Sequence, residues 1–319
     1  MCLCNASQLD SLSLSGNKLS GSIPACLLIN LQEIDLSCNN ISGSIPLFPL
    51  KRIVALHLSQ NKINGSIADI FPRYSGLYYL DVSNNALEGK IPRSLAHCKE
   101  LGYMNVGNNM MSDTFPCMLS SHSVLVLHSN KFHGEVICHI NWPKLKILDI
   151  SSNQFSGSLE SINFSSWTAM MLPSDGKLRG NISYMFGNSG MTLIIKGQIE
   201  ELHKIWLTNL ESLDLSVNQL AGPIPEELGG LTFLSKLNLS YNKFVGAIPK
   251  GRQIQTFSGD SFEGNSGLCG FPLDINCSNT NVPPPGYDDN GEEKRGIEWE
   301  YVCAAVGYVV GAGSMRRGC

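Results

Sequence analysis

The chain has 319 residues, 43% of them apolar and 16% charged, with a formal charge of −4. With a mean hydropathy near zero, that composition belongs to a folded chain and not to a disordered one. Residues 288–300 hold six acids against two bases, 301–319 add two bases, and 1–287 carry the remaining −2. A nearly neutral body lacks the basic footprint that nucleic-acid binding needs, so nucleic acid is excluded as a partner.

The opening MCLCNASQLD runs almost directly into a repeat, with no basic n-region and no apolar h-region before it. We read this start as that of the C-terminal part of a longer protein or of a mispredicted gene model. From Leu9 onward the chain follows L-x-x-L-x-L-x-x-N-x-L-x-G-x-I-P. Copies start at Leu9, Leu31, Ile53, Leu77, Leu101, His122, Leu145, Leu210 and Leu234. Their marker asparagines are Asn17, Asn39, Asn61, Asn85, Asn109, Asn130, Asn153, Asn218 and Asn242. Spacing between these is 21 to 24 residues, except for 218 − 153 = 65 across one interruption.

Each repeat position has a physical task. The first three leucines, such as Leu210, Leu213 and Leu215, line the inner face of a short strand. The asparagine amide pairs backbone groups of neighbouring coils that would otherwise be buried and unsatisfied. The glycine permits a turn, and the proline starts the return limb with no N–H to leave unpaired. One unit cannot bury its own apolar face, so the copies must stack.

These nine copies resemble leucine-rich repeats, and the G-x-I-P ending resembles the plant extracellular subclass. The resemblance implies an α/β, β-rich solenoid: a curved right-handed array with a concave parallel sheet, one strand per coil. Residues 1–159 are read as about seven repeats, 160–209 as a non-repeat island, and 210–264 as two repeats and a linker. Residues 265–287 read as a Cys-paired cap, 288–298 as an acidic juxtamembrane segment and 299–319 as an incomplete transmembrane segment. On this reading Leu36, Leu58, Leu148 and Leu215 are buried, and Asp35, Tyr79 and Asp149 are exposed on the concave face. Tyr78, Tyr79 and Tyr103 fall on adjacent strands about 5 Å apart and, with His57 and Lys146, are the candidate ligand-contact residues; Tyr is a favoured binding anchor.

Seven N-x-Ser/Thr sequons occur, at Asn5, Asn40, Asn64, Asn163, Asn181, Asn238 and Asn276, and fit passage through the secretory pathway. A glycan on Asn238 would obstruct the last coil. There are 11 cysteines, an odd number. Cys269 and Cys277 follow the last repeat, where an open core edge needs a cover, and are the best pair. Cys117 and Cys138 stand about one coil apart, so a bridge between neighbouring coils is plausible. Cys26, Cys38 and Cys98 are candidates for free thiols.

The island, from Glu160 to Asn209, has enough apolar mass to pack on the solenoid. Its WTAM segment, Trp167–Met170, and the I-x-K-G stretch around Lys196 and Gly197 resemble the island of plant receptor-like proteins. Trp167, Lys196 and Gly197 are its candidate contacts. In that family several repeats follow the island, whereas only two follow here. The segment KGRQIQTFSGDSFEGNSGLCGFPLDINC resembles the family's C-terminal cap. After Pro283–Pro285 come the acidic stretch and WEYVCAAVGYVVGAG, where the family's single transmembrane helix starts. Tyr301–Gly313 would span about 20 Å as a helix against about 30 Å of hydrocarbon.

No phosphate loop, H-R-D loop, G-x-S-x-G or H-E-x-x-H motif occurs, so neither an enzyme nor a cofactor site is expected. Cys117, His122, His128, His133, Cys138 and His139 lack metal-ligand spacing. The resemblance implies a kinase-lacking cell-surface receptor at the plasma membrane, single-pass, with its ectodomain outside. It would bind an extracellular peptide or protein in defence or development and signal through partner receptor kinases and co-receptors. The alternatives are a secreted inhibitor of a cell-wall-degrading enzyme, as in polygalacturonase-inhibiting proteins, and a truncated receptor kinase.

Overall fold

The leucines recur with a period that stacks coil on coil, and the structure, a computed structural model, shows that stack. It describes residues 9–47, 50–171, 192–195, 198–201, 211–251 and 253–277. These lie in the compact unit Met1–Cys277; the acidic segment and the apolar tail belong to a second unit, Ser278–Cys319, outside the described residues. Coils are numbered 1–9 by their asparagines. Nine parallel strands, one per coil, run in chain order from Ser11–Ser13 to Leu234–Asn238. Register is unshifted through coils 2–5, with Ile34, Leu56, Leu80 and Met104 side by side. Leu36, Leu58, Leu148 and Leu215 are all buried in one continuous core.

The asparagines lace the coils together. Asn109 accepts a bond from Leu87 N at 2.9 Å in coil 4. It donates to the carbonyls of Val82, Val106 and Gly107 at 3.1, 3.0 and 3.2 Å. The two N–H groups of one amide are thereby shared among three carbonyls, while its oxygen accepts across the coil boundary. The residue before each asparagine must turn left-handed to allow this. Cys38, Gln60, Asn84, Asn108, Ser129, Ser152, Val217 and Tyr241 all have φ between 52° and 56°. Val217 is β-branched and holds this conformation against its own preference.

A second ladder forms where each coil leaves its asparagine. It is split into two five-stranded sheets, one ending at Met110–Met111 and the other starting at His133–Glu135. The break coincides with Asp113, which stands where the other coils have a glycine at positive φ, as Gly89 and Gly134 do. Asp113 is buried; it accepts from Ile91 N and Thr114 N and pairs with Arg93 at 2.9 Å.

Coils 7 and 8 stack directly although 65 residues separate their asparagines. Leu148 pairs with Leu213, and Phe155 N donates to Asn218 Oδ1 at 3.0 Å. The coil therefore does not end at Glu160. Three 3₁₀ turns between Leu159 and Met170 form its return limb and bury Phe164, Trp167 and Met170. Phe233 N donates to Met170 O at 3.1 Å, which ties this limb to coil 9. Beyond it, Thr192–Ile195 and Gln198–Glu201 pair as an antiparallel hairpin.

The cap continues the repeat. Asn265 accepts from Phe244 N at 3.0 Å and donates to Leu239 O and Phe262 O, as a tenth ladder asparagine. Gly267–Cys269 adds the final strand of the second ladder, and Cys269 is bridged to Cys277 with Cα atoms 5.1 Å apart. Cys117 and Cys138 are bridged between coils 5 and 6, Cα atoms 5.5 Å apart. Cys26 and Cys38 are also disulfide-bonded, contrary to the expectation of free thiols, while Cys98 is free and buried.

His122 stands in the first leucine column of coil 6. It is 1% exposed, and neither ring nitrogen finds a hydrogen-bond partner. Burial, with Lys99 and Lys144 nearby, lowers its pKa to about 4. The unfolded chain protonates this group below about 6.5 and the native one does not. Stability from neutral His122 is thus complete above about 6.5 and falls as pH drops toward 4.

Two outcomes follow from this packing. Asn109→Ala should destabilise the protein by about 3 kcal/mol, because it leaves several backbone groups unpaired; denaturant unfolding showing a loss within about 0.5 kcal/mol contradicts the ladder's role. His122→Leu should raise the melting temperature more at pH 5 than at pH 7, by a stability difference of about 2 kcal/mol. A difference unchanged between the two pH values contradicts it.

Candidate functional site: the concave face

Alternate residues of each strand point away from the core, and in coils 3–6 these positions depart most from the repeat. Tyr79 and Tyr103 are register partners, and their rings stack at 4.2 Å with 4° between planes. His57 stacks on the other side of Tyr79, also at 4.2 Å and at 22°. Its direct register partner is Asp81; the register partner of Tyr79 is the small Ala55, which leaves room for the imidazole to lean across.

That stacking overturns part of the exposure pattern expected from the strands. Tyr79 is 2% exposed, Tyr103 is fully covered, and Asp149 is buried as well, while Asp35 is half-buried. In-register strands set equivalent side chains one strand spacing apart, so large ones cover each other. Burial, then the charge of nearby groups, pushes the phenols of Tyr79 and Tyr103 well above their usual range. Tyr78 is half-buried beside Gly102, where an added Cβ would lie 3.1 Å from its ring. Burial and then Glu100 raise its hydroxyl to about 12. Lys146 is half-buried at the flank of coil 7. Trp167, expected to be an island contact, is a core residue: it is 3% exposed and packs edge-on to Phe164 at 4.9 Å. Lys196 and Gly197 lie outside the described residues.

Polar groups floor the face. Asp81 Oδ1 accepts from Ser83 N at 2.9 Å and Ser83 Oγ at 2.7 Å, a motif repeated by Asp35, Asp149 and Asp214 with the serine two residues on. Burial lifts the Asp81 carboxyl to about 6 in spite of those bonds. A small polar cleft opens here, lined by Ser59, Gln60, Asp81, Ser83, Asn84, Asn105 and His128. Aromatic anchors alone do not point to Gln60, Asn84 and His128: the first two occupy the variable position before the ladder asparagine and carry no signal, whereas His128 stands where most coils have serine.

Among the described residues, no group of His, Cys, Asp and Glu could hold a metal ion, and no helix is long and apolar enough to cross a membrane. The tail lies outside them. Sequons divide by geometry. Asn40, Asn64 and Asn163 are exposed, and so is Asn276; Asn5 and Asn181 lie outside the described residues. Asn238 is buried, with its amide donating to both oxygens of Asp214 at 3.0 and 3.2 Å and accepting from Ser240 Oγ at 2.7 Å. It offers no room for a glycan, contrary to the obstruction expected on the last coil.

The profile for the Leucine Rich Repeat matches residues 8–28, 30–50, 76–98, 144–166 and 209–231. Receptor-like protein 33 of Arabidopsis thaliana is 38% identical over 254 residues, and receptor-like protein 41 of the same plant is 34% identical over 266. The chain is a leucine-rich repeat solenoid homologous to plant receptor-like proteins. Each of those two matches covers 62% of this chain but only 28% and 30% of the relative, so the chain spans about three tenths of their length.

Among solved structures, the Arabidopsis receptor kinase HAESA in complex with the peptide hormone IDA and the co-receptor SERK1 aligns with a TM-score of 0.64 at 29% identity. That alignment covers 84% of this chain and 39% of HAESA. PEPR1–AtPEP1 aligns at 0.53 and 25% identity, over 84% and 40%. A plant ice-binding protein aligns at 0.65, over 87% and 79%, and at 24% identity it shares the leucine-rich repeat fold alone.

Glycopeptide mapping of secreted protein should find Asn40, Asn64 and Asn163 occupied and Asn238 bare. Occupancy at Asn238 contradicts its packing against Asp214.

Proposed function

We propose that this chain is ectodomain from a kinase-lacking cell-surface receptor whose concave face takes an extracellular peptide or protein. The observation that carries the reading is the local replacement of the regular column in coils 3–6 by Tyr79, Tyr103, Asn105 and His128, on a fold shared with a receptor crystallised with its peptide hormone. Homology to receptor-like proteins supports a cell-surface location. A single membrane span after Glu300, signalling through partner receptor kinases and co-receptors, glycosylation and a role in defence or development belong to the same proposal. The exposed amides of Asn40, Asn64 and Asn163 suit a glycoprotein.

The test is cross-linking mass spectrometry on the native protein in plant membranes. Cross-links to a receptor kinase, with concave substitutions such as Asn84→Arg abolishing a ligand-dependent response and convex Lys62→Glu leaving it intact, are the expected result. Recovery from the cell-wall space as a stable, inhibitory complex with a cell-wall-degrading enzyme would overturn the receptor reading in favour of an inhibitor.

A further inference from the structure

Most coils have a serine two residues after the central concave residue, Ser15, Ser37, Ser59, Ser83, Ser151, Ser216 and Ser240, and in five of them, Ser37, Ser83, Ser151, Ser216 and Ser240, its hydroxyl bonds that residue's side chain. Two adjacent coils depart from it together, with Gly107 in coil 5 and His128 in coil 6. The structure links the two departures. A Cβ at Gly107 would lie 2.5 Å from His128 Nε2 and 2.6 Å from its Cδ2, so the imidazole occupies the space a serine side chain would fill. His128 thereby leans over coil 5 and walls the polar cleft, with Asn105 Oδ1 held by Gly107 N at 2.9 Å.

Asp81 is the carboxylate of this cleft. It is 5% exposed, no Lys or Arg lines the cleft, and neither ion pair among the described residues involves it. Around it the concave surface of coils 2–4 adds Glu33 and Asp35 and no lysine or arginine among the strand residues. A buried carboxylate without a cation gains most from a ligand that brings one. The amide oxygens of Asn84 and Asn105 line the same cleft; each accepts one bond, from Asn108 Nδ2 and from Gly107 N, and has a second lone pair for a group rich in N–H donors.

We propose that the cleft walled by Asp81, Asn105 and His128 receives the guanidinium of an arginine side chain from an extracellular peptide. This inference rests on the reading that the concave face is the ligand surface, and it names the ligand's chemistry there. A guanidinium offers five donors and a fixed charge, which matches one carboxylate ringed by amide oxygens. Binding is linked to pH. The groups facing Asp81 are His57 and Asp35 on coils 3 and 2, Tyr79 on its own strand, Tyr103 and the neutral Asn105 on coil 5, and His128 beyond. Because burial holds the Asp81 carboxyl at about 6, a cation there binds better at pH 7 than at pH 5.

Asp81→Asn is a fair probe, since the fold already accepts asparagine at this position. Asn105 makes the same turn bond to Gly107 N, and Asn238 makes it to Ser240 Oγ. The experiment is saturation-transfer NMR on the full chain with N-acetyl-arginine amide and its neutral isostere N-acetyl-citrulline amide. The arginine probe should bind saturably and about tenfold more tightly than citrulline, an advantage worth about 1.4 kcal/mol. It should bind more tightly at pH 7 than at pH 5. Asp81→Asn should erase the preference, and the double change Gly107→Ser with His128→Ser, which restores the regular column, should weaken binding. Equal affinity for the two probes, no saturable binding of either, or an unchanged preference in Asp81→Asn overturns the proposal. A peptide ligand that cross-links to Asn84 without an arginine-over-citrulline preference overturns this inference and leaves the receptor reading standing.

Discussion

The asparagine ladder is the constraint on which the rest of the molecule depends. A solenoid turn leaves backbone groups facing the interior between coils, where no water reaches them. One amide per coil satisfies them across the coil boundary, as Asn109 does for Leu87 N and Val82 O. The amide can do so only if the preceding residue turns left-handed, and eight non-glycine residues accept that conformation. Even Val217 does, which shows that interior hydrogen bonding outweighs local backbone preference at this site.

Because each coil is satisfied by its neighbour, sequence can be inserted between coils without breaking the array. The 65-residue gap between Asn153 and Asn218 closes with the same Phe155 N to Asn218 Oδ1 bond that joins ordinary neighbours. The same logic explains the cap. Asn265 offers coil 9 the amide it would receive from a further repeat, and Gly267–Cys269 covers the open ladder edge. Where the pattern is broken without replacement, the structure breaks too. Asp113 does not adopt the glycine's positive φ, and the second ladder splits there; Arg93 and Ile91 N bind its carboxylate from coil 4, while Lys131 N and His133 N still donate to Met111 O and Asp113 O across the split.

The concave face follows from register. Strands one spacing apart bring equivalent side chains into contact, so the surface of coils 3–5 is a stacked layer of His57, Tyr79 and Tyr103 and not a row of free anchors. What this layer leaves open is the polar cleft beside it, shaped by paired departures from the repeat. The stack and the cleft are two results of one geometry, in which a large side chain either stacks flat on its register partner, as Tyr79 does on Tyr103, or leans into space left by a small one, as His57 does over Ala55 and His128 over Gly107.

The period of leucine, asparagine and glycine by itself determined the solenoid, the number of coils, the parallel sheet and the burial of Leu36, Leu58, Leu148 and Leu215. Those features follow from local spacing, because each coil repeats one solution to the same backbone problem. The sequence also carries the signal of Asn265, in the F-x-x-N spacing of Phe262 and Asn265 inside the cap. Only the tertiary structure decided that Tyr79 and Asp149 are covered, that Trp167 belongs to the core, and that Asn238 is spent on Asp214. For Tyr79 and Asn238 the deciding residue lies one coil away, more than 20 positions distant in the chain, and Trp167 is buried because its limb is tied to the coils on either side. Period-two alternation says which way a side chain points; it does not say what the neighbouring coil has put beside it.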